Sequence, residues 1–167
     1  AVGDAGNEAL KADQYLAERD TTATLNGESL SATTSLPLEQ GTVALVVGLS
    51  VVTDPAGVTQ VRALEAALRE RCKRVVTTWA PCVDWGLVAR GSIEGIVCVH
   101  PNSYEQYAGS LLAAESGVVA NDTVAENGRY VGSPDREMTA VIGEIVDDVL
   151  TIASDRTNEE CNPVPYT

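Results

Sequence analysis

The stretch Thr77–Gly117, TTWAPCVDWGLVARGSIEGIVCVHPNSYEQYAGSLLAAESG, decides the fold. It holds two helical patterns with a strand pattern between them. Pro81 opens the first helix, expected from Pro81 to Arg90, and Val83, Leu87 and Val88 share one of its faces. Gly91 follows, and then the apolar run Gly95-Ile96-Val97-Cys98-Val99, which has the length and composition of a buried strand. Ser103 and Gln106 stand at the spacing of a capping box, so a second helix is expected from Tyr104 to Ser116. Ala108, Leu111 and Leu112 share a face of that helix, and Ser116-Gly117 ends it.

Upstream, Thr42–Leu49 is an apolar run of strand length. Asp54-Pro55 then reads as a helix cap with a first-turn proline, opening a helix to Cys72. Val58, Val61, Leu64 and Leu68 mark its buried face. Arg69, Arg71, Lys73 and Arg74 lie at its end, where cations suit the helix dipole. Val75–Thr77 begins the next strand. Earlier still, Asn26-Gly27 is a two-residue turn signal between Ala23-Thr24-Leu25 and Glu28-Ser29-Leu30, and Ala9–Leu16 loosely alternates. Downstream, Val118-Val119-Ala120 and Arg129–Gly132 read as strands, with a turn at Asn127-Gly128. A last helix is expected from Pro134 to Ala153, with Met138, Val141, Ile142, Ile145, Val149 and Ile152 at core spacing. This alternation of strands and helices argues an α/β layered domain over residues 1–153. Residues 154–167 form a polar tail with Pro163 and Pro165, expected to be disordered or to lie along a neighbour.

At 167 residues the chain has the length of one domain with a sizeable core. Its net charge is −13, with only Lys11 and Lys73 as lysines and no Phe. No basic stripe exists to neutralise phosphates, so nucleic acid is excluded as a partner class. Such a composition suits solubility in high salt, and equally an ordinary acidic cytosolic protein. No run has the length of a membrane span, and no signal peptide is expected. Cys72, Cys82, Cys98 and Cys161 match no zinc or redox spacing; the first three lie in core-like patterns and Cys161 in the tail. His100, the only histidine, precedes Pro101 and reads as an exposed loop residue.

The opening stretch resembles the C-terminal half of the inositol monophosphatase family. Val88-Ala89-Arg90-Gly91 fits that family's Val-Ala-x-Gly, and Glu94-Gly95 fits its Asp-Gly strand. Tyr104-Glu105-Gln106-Tyr107-Ala108-Gly109 fits Trp-Asp-x-Ala-Ala-Gly, and Glu115-Ser116-Gly117 fits the start of Glu-Ala-Gly-Gly. The elements follow one another without a gap. The resemblance implies a central mixed sheet flanked by helices. It covers roughly Ala1 to Leu150 but only the second half of a full-length member, so the metal-binding Asp-Pro-x-Asp-Gly-Thr segment has no counterpart here. Asp54-Pro55-Ala56-Gly57 lacks that segment's second Asp and its Thr, and reads as a cap.

The family hydrolyses phosphate monoesters with Mg²⁺, which takes several converging carboxylates. Here Trp79-Ala80-Pro81 stands where the family puts Gly-Ser-Ala at the substrate site, and Cys98 replaces a substrate-contacting Glu. Glu105 stands at the metal-binding Asp. Trp79, Ala80 and Cys98 are therefore the remnant substrate positions and Glu105 the remnant metal position. The indole of Trp79 is expected to fill the pocket; the other reading is an aromatic platform for a new ligand. The expectation is a chain that is not an enzyme, has no cofactor, and acts as a structural or interaction module of a larger assembly, for example at the surface of a virus particle. The alternatives are a small-molecule or sugar-phosphate binding module and one half of a split Mg²⁺-dependent phosphatase. A homo-oligomer or a protein partner is expected, because the family's other half would cover apolar area.

Overall fold

Eight strands in two sheets, described over residues 13–121 and 128–160, make up the β structure of this computed structural model; residues 152–160 are described by backbone alone. Strands β1 (Tyr15–Leu16), β2 (Thr24–Leu25) and β3 (Glu28–Ser29) form a small antiparallel meander. Asn26 and Gly27 join the last two with φ of 54° and 86°. Positive φ at both central residues is what a tight hairpin turn of this twist demands, and Asn-Gly adopts it at least cost.

The main sheet holds β4 (Thr42–Val47), β5 (Arg74–Val76), β6 (Gly95–Val99), β7 (Val119–Ala120) and β8 (Arg129–Ser133), in the spatial order β5-β4-β6-β8-β7. β4 pairs parallel with β5 and β6, and β8 runs antiparallel to β6 and β7. The fold is thus α/β with a mixed sheet. β6 is central and buried at every residue, as its apolar run requires. The helices are α1 (Leu49–Val52), α2 (Pro55–Arg71), α3 (Pro81–Ala89), α4 (Ser103–Ser116) and α5 (Arg136–Glu160).

Side chains alternate across the sheet and build one core layer on each face. Val43, Leu45, Val97, Val99 and Val131 pack against Leu64 and Leu68 of α2 and Met138, Ile142 and Val146 of α5. Ala44, Val46, Ile96, Cys98 and Tyr130 pack against Trp85 and Val88 of α3 and Ala113 of α4. Leu64 and Leu68 are fully buried, worth roughly 1.5–3 kcal/mol each against exposure. The meander docks through Ala23 and Leu30 onto Ala89 and Leu112.

Several expectations are corrected in detail. β4 stops at Val47, because Gly48 is the N-cap of a short helix, Leu49–Val52. The cap of α4 is Asn102 rather than a Ser103–Gln106 box, and no side-chain cap bond forms there. Gly117, at φ 99°, ends that helix in the left-handed conformation that glycine takes most cheaply. Val83 faces solvent, so the buried stripe of α3 is Asp84, Trp85 and Val88. Cys82 is exposed, whereas Cys72 and Cys98 are buried. The last helix runs on to Glu160, past the expected end at Ala153. By contrast, Asp54 caps α2 as expected, its carboxylate accepting from the Gly57 N–H at 2.8 Å. The readings at Ala9–Ala12, at Asn127 and beyond Glu160, including Cys161, Pro163 and Pro165, lie outside the described residues. No helix among the described residues is long and apolar enough to cross a membrane.

Candidate functional site

The parallel strands β4, β5 and β6 end together, and their carboxyl ends open into a cavity of about 150 Å³. The helix after β5 and the helix after β6 both start at this rim. This is where parallel α/β sheets bind ligands, since several loops and helix N-termini converge there. Val47, Gly48 and Leu49 line it from the end of β4 and the start of α1, Thr77, Trp79, Ala80 and Pro81 from the segment between β5 and α3 and the first residue of α3, and Pro101, Asn102 and Glu105 from the loop after β6 and α4.

Trp79, Ala80 and Glu105 all reach this cavity. Cys98 does not line it. The thiol lies in the core layer beneath, fully buried beside Trp85, and its pKa is pushed up by burial and then by the Asp84 carboxylate. Trp79 does not fill the site as expected. It is 67% exposed, and its backbone sits at φ 58°. A bulky residue in the left-handed region is strained, and here the strained conformation stands the indole at the cavity mouth. Glu105 is held from its own helix end, where Asn102 Nδ2 donates to Oε2 at 3.0 Å.

Asp84 was not legible as a site residue. It is 1% exposed and lines the cavity from the first turn of α3. Thr78 Oγ1 donates to its Oδ2 at 2.8 Å and in turn accepts the Ala80 N–H at 3.0 Å. Oδ1 has no partner. The available signal was an acid whose helix neighbours Pro81, Leu87 and Val88 are all apolar.

Burial pushes the Asp84 carboxyl above its ordinary value of 3.8, with the Thr78 hydroxyl pulling the other way. The folded chain therefore holds this proton more tightly than the unfolded chain does. This group's contribution to stability is therefore greatest below about pH 3.8 and falls as pH rises through the higher folded value. Asp84→Asn keeps the shape and removes the charge. The variant is expected to melt above the wild type at pH 7, with the gap closing as pH approaches 4. Paired melts from pH 7 to pH 4 check this. A variant less stable at pH 7 by a pH-independent amount would contradict it.

Mg²⁺ prefers near-octahedral oxygen coordination. Among the described residues no three of His, Cys, Asp and Glu converge as a metal group. Glu105 alone stands at the matching position, already hydrogen-bonded to Asn102. The described residues by themselves do not fit that ion.

No family model and no curated protein matches the chain. Solved structures do. The extragenic suppressor protein SuhB of Bartonella henselae superposes with a TM-score of 0.69 at 14% identity, over 80% of this chain and 52% of that one. The inositol monophosphatase of Thermotoga maritima gives 0.68 at 17% identity, over 84% of this chain and 54% of that one. An inositol monophosphatase/NADP phosphatase complexed with NADP and Ca²⁺ gives 0.57 at 19%, over 80% and 50%. The fold is inositol-monophosphatase-like, and the chain spans about half the length of these structures. The expectation that the chain is not an enzyme is corrected by these neighbours. They are of the inositol monophosphatase type, and the fold they share with this chain is that of a phosphatase.

Proposed function

We propose that this chain is an interaction module with a phosphatase fold, working as part of a larger assembly whose contact surface is the apolar rim of the cavity. The observation that supports it is the set of large side chains left open at this rim. Leu49, Trp79, Val83, Tyr104 and Tyr107 are 54–76% exposed. Leu49 and Trp79 line the cavity, and the other three lie in the first two turns of α3 and α4. Beside them lies a groove of about 470 Å³ between β1, α3 and α4, which includes Leu16 and Leu111. Each Å² of apolar surface left in water costs about 25 cal/mol, and contiguous patches of this kind usually mark interfaces.

The first occupant to test is a second copy of the chain. Its net charge of −13 opposes self-association at low salt. At 1 M salt the screening length falls to roughly 3 Å, and that repulsion is suppressed. Sedimentation velocity is expected to show dimers or larger species in molar salt and fewer at a tenth of that. Val83→Glu with Tyr107→Glu should return a monomer, and removing residues 154–167 should weaken association. A monodisperse monomer at every salt and concentration would sink self-association and leave a different protein as the partner.

The unpartnered Oδ1 of Asp84 favours a second reading, a small-molecule site in the cavity itself.

A further inference from the structure

The cavity at the carboxyl ends of β4, β5 and β6 has a lining with a definite charge. Asp84 and Glu105 are its two ionisable groups, and no Lys, Arg or His contributes to it. The two helix N-termini that open onto it would ordinarily attract an anion. Each already carries an acid in its first turn, Asp84 on α3 and Glu105 on α4. Pro81 takes one further N–H out of the first turn of α3, and the Ala80 N–H is spent on Thr78. A phosphate group entering alone would meet two carboxylates and no free cation. The unmet need in the wall is of the opposite kind. Asp84 is a fully buried acid with one oxygen paired to Thr78 and the other unpaired, and a buried acceptor without a donor costs about 1–3 kcal/mol. At the mouth stands the exposed indole of Trp79, whose face attracts cations.

We infer that this cavity binds a small organic cation, a primary amine in its ammonium form, with Asp84 as the buried acceptor, Glu105 as the second charge and Trp79 as the aromatic wall. An ammonium supplies both the N–H donor that Asp84 lacks and the positive charge that the lining lacks. A cavity of about 150 Å³ suits a molecule of a few heavy atoms. The left-handed backbone at Trp79 and the buried, half-paired Asp84 are both costly features for a purely structural site, and ligand binding is a use for each. The inference rests on the small-molecule reading above.

The experiment titrates the full chain with ethanolamine, glycerol, inorganic phosphate and MgCl₂ in separate arms at constant ionic strength. Tryptophan fluorescence and calorimetry are the readouts. The chain has two tryptophans, and Trp85 is buried, so a change at the mouth reports Trp79. Ethanolamine is expected to bind saturably, and phosphate is not. Asp84→Asn should weaken ethanolamine at least tenfold while the far-UV spectrum stays native. Should Asp84→Asn fail to fold, Trp79→Ala and Glu105→Gln, at positions that the core does not need, are each expected to weaken it several-fold. Glycerol binding as tightly as ethanolamine would overturn the ammonium assignment and leave the small-molecule reading standing. Tighter binding of phosphate, or Mg²⁺ binding that Asp84→Asn abolishes and ethanolamine does not compete with, would overturn it likewise. Saturation by none of the four probes would remove both.

Discussion

Gly109→Ala is expected to lower the thermal unfolding midpoint by about 8 °C, the shift that roughly 2–3 kcal/mol produces in a domain of this length. Gly109 lies on the buried side of α4, and a Cβ there would run into the indole ring of Trp85 on α3. The ring is confined by its core neighbours. Trp85 is 1% exposed, lies in one core layer with Val88 and Ala113, and meets the ring of Tyr130 edge-on at 4.8 Å. Overpacking of a filled core costs typically about 1–3 kcal/mol and occasionally more, and a direct clash with a fixed indole ring belongs at the upper end, about 3–4 kcal/mol. Alanine's better helix propensity returns about 1 kcal/mol, so the steric term wins. The same conflict explains why a helix carries a glycine here at all: the residue without a Cβ lets α3 and α4 close over the sheet. In a Trp85→Leu background the alanine should cost far less. Strictly additive effects of the two changes would show that the ring is not what the Cβ meets.

The sequence made the frame of the fold readable wherever one signal was unopposed. β6 is an unbroken apolar run behind a glycine, and α2 opens on Asp54-Pro55, so both stand where pattern puts them. Failures came where two signals compete. The apolar run through Leu49 reads as one strand, but hydropathy cannot see that a helix starts after Gly48. On α3 the acid Asp84 interrupts the apolar stripe, so periodicity placed Leu87 and Val88 on the core side correctly but added the exposed Val83 and left out the buried Trp85. A buried acid is invisible to a rule that treats charge as solvent-facing, which is also why the candidate site lost its most informative residue. Trp79, Ala80 and Glu105 were found only through the resemblance to the inositol monophosphatase family, and all three line the cavity. What that resemblance could not supply was the φ of 58° at Trp79, and that angle decides whether the indole plugs the cavity or stands at its mouth.

Gly48→Ala is expected to cost more than the change at Gly109, on the order of 4 kcal/mol, because the obstacle is backbone rather than a side chain. A Cβ at Gly48 would overlap the carbonyl of His100. The Val99–His100 peptide just before that carbonyl is held on both sides. The Gly48 N–H donates to the Val99 carbonyl at 2.9 Å, and the His100 N–H donates to the Gly128 carbonyl at 2.6 Å. His100 is itself at φ 45°, strained already, so the loop after β6 cannot withdraw without giving up the bond to Gly128. Gly48 thus sets how closely the carboxyl ends of β4 and β6 approach, and Gly48, Pro101 and Asn102 are all part of the cavity wall. Moving the loop moves Asn102, and with it the hydrogen bond that orients Glu105. The expected result is a midpoint lower by on the order of 12 °C together with loss of ethanolamine binding, read by melting and by titration on the same sample below the new midpoint. A variant that melts with the wild type would mean that the two strand ends are farther apart than the Gly48–His100 contact places them. A variant that melts low yet binds ethanolamine unchanged would mean that the wall formed by Gly48, Pro101 and Asn102 does not shape the ligand site.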